Sequence, residues 1–161
     1  MRLALIGVGL IGASAAWAMK RGGVFETVSA FDLSAQSARK AVEMGIADTA
    51  ADTLEACVQG ADAVLVAVPV LAIEKVMAQI EPFLRDETLV TDVGSVRGVV
   101  IEGARRALKE KFVNYAPVHP IAGGEMPGVD YADADLFAGA KAISTPVADI
   151  GDHAVQFWEE C

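Results

Sequence analysis

The chain has 161 residues and a formal net charge of −9, and 53% of its residues are hydrophobic. This length fits one domain, residues 1–161, and the apolar content suffices for a buried core. The acidic balance argues against nucleic acid or an anionic membrane surface as partners, and no uninterrupted apolar run is long enough to cross a bilayer.

The beginning of the chain combines a strand, a glycine motif and a helix. Arg2 to Ile6 reads as a short apolar strand, and an Ala-rich helical run follows from Ala13 to Lys20. Between them lies Gly7-Val8-Gly9-Leu10-Ile11-Gly12. A second apolar run, Val28 to Phe31, ends on Asp32. This order of strand, G-x-G-x-x-G, helix, strand and acid is typical of a dinucleotide-binding site.

Each position of this motif has a physical task. Gly7 permits a tight turn, Gly9 lets a pyrophosphate approach the backbone, and Gly12 lets the helix pack against the sheet. The helix N-terminus offers free N–H groups and a positive dipole end to phosphates. Asp32 is placed to accept hydrogen bonds from an adenosine ribose. An ordinary strand-turn-helix packed through small residues would not explain this acid.

Beyond Asp32, helices and strands are expected to alternate. Ser34 and Gly45 are suited to cap the next helix at its two ends. Helices are predicted at about 34–44, 53–58, 70–83, 97–109 and 132–137 and from 149 onward, and strands at 63–68, 88–92, 113–118 and 140–144, with room for another within 46–51. The apolar side of the helix over 70–83 is expected to consist of Leu71, Ile73, Val76, Met77 and Ile80. The glycine-rich segment 121–130 is predicted to be a loop.

This alternation predicts an α/β fold of the Rossmann type, with a doubly wound, mostly parallel sheet. Ligands bind such sheets at the carboxyl ends of the strands, near the switch point. The glycine motif, Val68-Pro69, residues 92–95 and His119 all follow predicted strand ends, so we expect them along one rim. The candidate cofactor-binding residues are Gly7, Gly9, Leu10, Ile11, Gly12, Asp32, Val68 and Pro69.

Two residues on this rim are candidates for catalysis. His119 precedes the glycine-rich loop, and an imidazole takes up and releases protons near neutral pH, which suits general acid/base work. Ser95 is suited to be a helix N-cap, but its hydroxyl also has the chemistry to bind a substrate or orient His119. Arg97 is either a partner of an anionic substrate or a solvated side chain. His153 is expected to be a surface residue of the last helix.

Other chemistries are not favoured. Two separate histidines and scattered acids lack the spacing of a metal site, so we predict none. A nucleophile elbow of the G-x-S-x-G type is missing, which argues against a serine hydrolase. Cys57 and Cys161 are expected to be free thiols in a reducing, cytoplasmic compartment. The short apolar start is needed as a strand rather than as a signal peptide.

Taken together, the motifs resemble those of the prephenate/arogenate (cyclohexadienyl) dehydrogenases of tyrosine biosynthesis. The generic part is the glycine motif with Asp32-Leu33-Ser34 and Val66-Ala67-Val68-Pro69. The more specific blocks are Thr91-Asp92-Val93-Gly94-Ser95-Val96-Arg97 and His119-Pro120-Ile121-Ala122-Gly123, which continues into Gly124-Glu125-Met126-Pro127-Gly128. The resemblance covers essentially the whole chain.

The resemblance implies an NAD-dependent oxidative decarboxylation of prephenate or arogenate. The ring carbon bearing the 4-hydroxyl loses a hydride, the ring carboxylate leaves as CO2, and the ring becomes aromatic. His119 would accept the hydroxyl proton, and Ser95 would lie beside both groups. Asp32 would face the 2′-phosphate of NADP, so NAD is the expected cofactor. Arg39 lies a helical turn or more away, and NADP stays a second candidate.

The resemblance also implies a C-terminal helical domain, which makes a homodimer and supplies an arginine for the substrate carboxylate. We expect this chain to be the cofactor domain alone, without that second domain, and to turn over poorly by itself. Two alternatives stay open. One is another NAD(P)-dependent reductase, of the β-hydroxyacid dehydrogenase or pyrroline-carboxylate reductase type. The other is a dinucleotide-binding module without catalysis.

Overall fold

The structure, a computed structural model, describes residues 1–122 and 126–161. Its strands are β1 (Arg2–Ile6), β2 (Thr27–Phe31), β3 (Thr49–Ala50), β4 (Ala63–Val66), β5 (Leu89–Asp92), β6 (Tyr115–Ile121) and β7 (Lys141–Ser144). Its α-helices are α1 (Leu10–Arg21), α2 (Ala35–Glu43), α3 (Leu54–Val58), α4 (Val70–Ile80), α5 (Arg97–Leu108) and α6 (Asp152–Glu160). Short 3₁₀ helices cover Glu81–Phe83, Lys109–Asn114 and Val129–Tyr131.

The strands form one sheet in the order β3-β2-β1-β4-β5-β6-β7. Neighbouring strands are parallel except for β7, which runs antiparallel to β6. The order reverses between β1 and β4, and these strands are almost entirely buried because helices cover both faces of the sheet. The predicted doubly wound Rossmann-type sheet is therefore confirmed, and its switch point lies beside the glycine motif.

The core consists of two layers, one on each face of the sheet. One layer is dominated by side chains from α4 and α5, among them Ile73, Met77 and Leu108. The other contains small residues of α1, such as Ala13 and Ala16, together with side chains of α6. Small residues let α1 approach the sheet closely, which brings its N-terminus to the strand ends. Among the described residues, no helix is long and apolar enough to cross a bilayer.

The structure confirms several predicted features of the helices. Ser34 accepts a hydrogen bond from Ser37 N–H and caps α2, and Gly45 has a φ of +75° just after that helix. Thr53 caps α3 in the same way, through Ala56 N–H. The helix predicted over 70–83 is α4 followed by a 3₁₀ turn, because Pro82 cannot continue the α-helical hydrogen bonding.

Three predicted features are wrong. Leu71 is 95% exposed, because the buried stripe of α4 is formed by residues 73, 77 and 80 and position 71 lies on the opposite side. The helix predicted over 132–137 is replaced by turns, in which Asp133 N–H donates to Ser14 Oγ of α1. The last helix begins at Asp152 rather than near 149, because Gly151 N–H is held by the carbonyl of Val113.

The end of β6 also differs from the expectation. The strand was predicted to end at Val118, but it continues to Ile121, so His119 lies within the strand rather than after it. The cause is β7, whose Ile143 pairs with His119. Of the predicted loop 121–130, residues 123–125 lie outside the described part of the chain, and Val129–Tyr131 form a 3₁₀ turn.

Candidate functional site

Two adjoining clefts lie along the carboxyl ends of the strands. The first, called here the glycine cleft, has a volume of about 690 Å³, and residues 9–12, 67–69, 93, 122 and 126–128 line it. The second, the Asp32 cleft, has a volume of about 700 Å³ and is lined by residues of β2, α4 and the turn after β3. Both clefts share Gly9 and residues 67–69 as walls. Together they form a continuous groove across the switch point.

The glycines of the motif differ in what surrounds them. Gly7 has a φ of +92°, and a Cβ there would lie 2.4 Å from the carbonyl oxygen of Ala67. At Gly12 a Cβ would lie 2.5 Å from the Ala67 Cβ, so α1 packs on the strand end only without a side chain. At Gly9 a Cβ would meet no protein atom within 4 Å. Gly7 and Gly12 therefore shape the fold, whereas Gly9 leaves space open within the groove.

The N-terminus of α1 faces this groove without a capping side chain. Gly9 is its N-cap residue and makes no side-chain hydrogen bond, and the first turn carries no acid. Among the described backbone contacts, the first N–H of the helix with a partner is that of Ala13, which donates to Gly9 O at 2.9 Å. The N–H groups of Leu10 and Ile11 thus remain at the wall of the cleft, where they favour an anion such as a phosphate.

Asp32 lies at the far end of the groove, directly after β2. Its Oδ2 accepts a hydrogen bond of 2.8 Å from Val8 N–H, and its Oδ1 accepts one of 2.8 Å from Ser34 N–H. A carboxylate has about four acceptor positions, so acceptor capacity remains for a diol. Leu33, the next residue, is 97% exposed. Lys75 of α4 lines the same cleft, a cation that the sequence analysis did not single out.

His119 is attached to the groove through one backbone group. Its Nδ1 lies 3.2 Å from the carbonyl oxygen of Val93, which follows β5 and lines the glycine cleft. A carbonyl only accepts hydrogen bonds, so Nδ1 carries the proton and Nε2 keeps a free lone pair. The ring is partly exposed. This arrangement leaves Nε2 available as a proton acceptor, although His119 itself lines neither cleft within the described residues.

Ser95 is not placed at the helix N-cap that the sequence suggested. It is exposed in the turn between β5 and α5, and the residue at the N-cap position of α5 is Val96. The predicted N-cap role of Ser95 is therefore wrong. Among the described residues, Ser95 makes no hydrogen bond to His119, although Asp92 pairs with Pro117 and the turn thereby runs beside the end of β6.

Arg97 forms an internal ion pair, which contradicts the prediction of a solvated or substrate-facing side chain. Its Nη2 lies 2.6 Å from Oδ1 of Asp92, a carboxylate that is 0% exposed. Tyr115 donates its hydroxyl to the other oxygen of Asp92, and burial together with this negative charge raises the pKa of the phenol. A buried carboxylate requires a charged or hydrogen-bonding partner, and Arg97 meets this requirement for Asp92.

The remaining predicted groups do not line either cleft. His153 is exposed, as expected, and its Nε2 lies 2.8 Å from Oδ1 of Asn114. Cys57 is buried and Cys161 exposed, and both are free thiols, as predicted. Burial raises the pKa of the Cys57 thiol to about 11. In the described part of the chain, no cluster of three or more histidine, cysteine or acidic side chains suits a metal ion.

Comparisons with known proteins agree with the motif resemblance. The family model described as "Prephenate dehydrogenase, nucleotide-binding domain" matches residues 15–161. The chain is 36% identical to cyclohexadienyl dehydrogenase of Zymomonas mobilis, over 98% of this chain and 55% of that protein. It is 33% identical to prephenate dehydrogenase of Bacillus subtilis, over 94% of this chain and 41% of that protein. The chain thus spans about half the length of these relatives.

Solved structures give the same result. Prephenate dehydrogenase from Aquifex aeolicus, in complex with hydroxyphenyl propionate and NAD+, superimposes with a TM-score of 0.91 at 28% identity, over 99% of this chain and 55% of that one. Arogenate dehydrogenase from Synechocystis superimposes with a TM-score of 0.90 at 28% identity, over 99% and 55% of the two chains. A 3-hydroxyisobutyrate dehydrogenase from Mycobacterium tuberculosis, at 18% identity and a TM-score of 0.62 over 80% of this chain and 42% of that one, shares only the fold.

Proposed function

The chain belongs to the family of prephenate dehydrogenase nucleotide-binding domains, and from that premise we propose that it holds NAD+ for the oxidative decarboxylation of prephenate or arogenate. The observation that carries the proposal is the continuous groove with open space at Gly9 in the middle and Asp32 at one end. The relative from Aquifex aeolicus is described with NAD+ bound. Bound NAD+ supplies the hydride acceptor of the reaction.

In this proposal the groove residues bind the two halves of the dinucleotide. The N–H groups at the start of α1 hold the pyrophosphate beside Gly9, because helix N-termini favour anions. The Asp32 cleft holds the adenosine, and Asp32 accepts hydrogen bonds from the ribose diol. Val68 and Pro69, which wall both clefts, separate the two halves. Gly7 and Gly12 act through the shape of the turn.

His119 acts as the proton acceptor for the substrate hydroxyl. While a hydride leaves the ring carbon bearing that hydroxyl, the hydroxyl proton passes to Nε2, and a carbonyl forms on the substrate. When the carboxylate then leaves as CO2, the electron pair of the broken C–C bond moves through the ring to the carbonyl oxygen, which takes up a proton as a phenol, and the ring becomes aromatic. A base within hydrogen-bond distance helps most as charge builds on the oxygen in the transition state. Ser95, exposed in the neighbouring turn, hydrogen-bonds the same hydroxyl.

The cofactor preference follows from the charges of the Asp32 cleft. A 2′-phosphate on the ribose would lie against the Asp32 carboxylate, which disfavours NADP. Lys75 is a cation in the same cleft, and it reduces that discrimination without reversing it. We therefore propose NAD+ as the main cofactor and NADP+ as a weaker one. For the complete protein we propose a cytoplasmic homodimer, in which residues 1–161 serve as the cofactor domain.

The direct test is calorimetric titration of the 161-residue chain with NAD+ and, separately, with NADP+. We expect NAD+ to bind more tightly than NADP+. Assays with prephenate and arogenate would follow, in this chain and in a chimaera that adds the C-terminal part of the Zymomonas mobilis relative. If neither dinucleotide binds to the folded chain, the groove is not a cofactor site and the proposal is wrong.

A further inference from the structure

A buried polar network lies beneath the turn that joins β5 to α5, and within the described residues only the Nε of its arginine, Arg97, lacks a hydrogen-bond partner in it. Asp92 Oδ1 accepts a hydrogen bond of 2.7 Å from Gly94 N–H and one of 2.6 Å from Arg97 Nη2. Its Oδ2 accepts the Tyr115 hydroxyl and lies 3.4 Å from Arg97 Nη1. Arg97 Nη2 also donates to the carbonyl oxygen of Gly94. The three side chains, called here the Asp92 network, tie both sides of the turn to one buried carboxylate.

The position of the Asp92 network distinguishes it from an ordinary surface ion pair. Asp92 is fully buried, and the Arg97 side chain is 14% exposed. Burying two charges costs solvation that their mutual attraction regains only with good geometry, so such pairs are weak evidence for stability alone. Their better-supported role is to fix one conformation out of several. The conformation fixed here is that of residues 93–95.

Within that turn, Val93 is the residue that matters for the chemistry. Its carbonyl oxygen accepts a hydrogen bond from Nδ1–H of His119, and the residue lines the glycine cleft. Gly94, directly after it, is held at both N–H and C=O by the Asp92 network. The orientation of the peptide between Val93 and Gly94, which carries the Val93 carbonyl, is therefore set by Asp92 and Arg97.

We propose that Asp92, Arg97 and Tyr115 are positioning residues that fix the tautomer of His119. By holding the Val93 carbonyl toward Nδ1, the network keeps the proton on Nδ1 and leaves Nε2 free to accept a proton from the substrate. This inference rests on the proposed function for its catalytic meaning. The tautomer itself depends on neither NAD+ nor substrate, so it is tested independently of that function.

The chain contains its own reference group for this test, because it has two histidines. His153 Nε2 faces Oδ1 of Asn114, whose amide nitrogen donates to the carbonyl of Asp86 and thereby fixes the orientation of the amide. Nε2 of His153 must therefore carry a proton. The two rings are expected to show opposite tautomers in one sample, Nδ1–H for His119 and Nε2–H for His153.

The experiment is a two-bond ¹H–¹⁵N correlation spectrum of the ¹⁵N-histidine-labelled chain, at an alkaline pH where both rings are neutral. In Arg97→Gln we expect the population of the Nδ1–H tautomer of His119 to fall and that of the Nε2–H tautomer to rise. The tautomer of His153 should stay unchanged. Because removing one partner of a buried pair is strongly destabilising, Tyr115→Phe serves as the second variant. It removes one donor to Asp92 and keeps the ring packed 5.5 Å from that of Phe112.

Tyr115→Phe is expected to show the same change in His119 to a smaller extent. Arg97→Lys, which keeps the charge beside Asp92 but lacks the second arm of the guanidinium, should restore part of the wild-type tautomer ratio. Amide spectra establish which variants are folded. If His119 has the same tautomer ratio in the wild type and in every folded variant, the Asp92 network does not position this histidine and the proposal is wrong.

Discussion

The carboxylate of Asp32 accepts a 2.8 Å hydrogen bond from the backbone N–H of Val8, the residue between the first two glycines of the motif. Its other oxygen accepts Ser34 N–H, also at 2.8 Å. Asp32 therefore joins the end of β2 to the turn after β1, in addition to facing the Asp32 cleft. The acid that would bind the ribose also holds the glycine turn in place, so affinity and loop geometry are coupled at this residue.

This coupling leads to a prediction for Asp32→Asn. The amide keeps one acceptor oxygen, so one of the two backbone N–H groups loses its partner and the negative charge disappears. We expect NAD+ to bind about tenfold more weakly, a loss of about 1.4 kcal/mol, and the preference for NAD+ over NADP+ to narrow. Calorimetric titration with both dinucleotides measures these changes.

Asp52→Asn is the matched control, because it removes one charge from a residue that lines the same cleft. Asp52 is exposed and lies in the turn before α3. We expect its effect on the NAD+/NADP+ preference to be small. Equal changes in both variants would mean that the net charge of the cleft, and not the Asp32 contacts, sets the preference.

The glycines of the motif give a second prediction, because one supports binding and another supports folding. Gly9 has a φ of −94°, which alanine adopts easily, and a Cβ there meets no protein atom within 4 Å. We expect Gly9→Ala to keep its stability within about 0.5 kcal/mol and to lose at least about tenfold in NAD+ affinity, since the methyl group enters the groove. Thermal unfolding and titration of the same sample separate the two effects.

Gly12→Ala is the counterpart with the opposite expectation. Its methyl group would lie 2.5 Å from the Ala67 Cβ and from Gly7 O, so α1 must move away from the sheet. Overpacking of this kind costs about 1–3 kcal/mol of unfolding free energy. Two outcomes would contradict this division of roles between the glycines. One is a Gly12→Ala variant with weaker NAD+ binding but unchanged stability, and the other is a Gly9→Ala variant with reduced stability.

A third prediction concerns the pH dependence of stability, through Asp62, which lies directly before β4. Its Oδ2 accepts Arg2 N–H at 2.7 Å and its Oδ1 accepts Arg85 Nη2 at 2.7 Å. Both hydrogen bonds lower the pKa of Asp62 below its ordinary value of 3.8, and the one from the Arg2 backbone N–H has the larger effect. A lowered carboxyl pKa adds stability above the unfolded-state pKa, and this contribution is lost as the pH falls through the folded-state pKa.

Asp62→Asn should therefore be less stable than the wild type near neutral pH, and the difference should shrink as the pH falls below about 4. Urea unfolding over an acidic pH series measures it. Glu26→Gln removes an exposed carboxylate whose contact with the terminal amino group is 3.9 Å long, and it controls for net charge. A difference between Asp62→Asn and the wild type that stays constant with pH would contradict the assignment.

The sequence predicted best those elements whose signal is local. The glycine motif, the buried run of β4 and the Ser34 cap are each specified by neighbouring residues, and all have the predicted place in the structure. The extension of β6 to Ile121 could not be predicted in this way, because it depends on pairing with β7, which lies twenty or so residues further along the chain. Tertiary pairing overrode the proline and glycine signals.

The candidate site also contains both features that the sequence predicts and features that only the structure shows. The groove follows from the order of strands, so its wall residues could be assigned from the motif and the switch-point rule. The pairing of Arg97 with Asp92 could not, because an arginine in the first turn of a helix is usually solvated and only the burial of Asp92 changes that expectation. Contacts that depend on burial require the structure.

The last prediction tests the role of His119 in catalysis. His119→Asn removes the proton acceptor at Nε2 but keeps a polar amide near the position of Nδ1, and His119 does not line either cleft among the described residues. We expect NAD+ affinity to be unchanged and kcat to fall about 10²- to 10⁴-fold, the usual contribution of a general base.

His153→Asn is the control, because that histidine lies on α6 and contacts Asn114 instead of Val93. Turnover with prephenate and with arogenate is measured in the chimaera with the C-terminal part of the Zymomonas mobilis relative, and titration of NAD+ accompanies each assay. Activity that survives His119→Asn would remove the base from the proposed mechanism, whereas a loss of NAD+ binding would make His119 a cofactor contact instead.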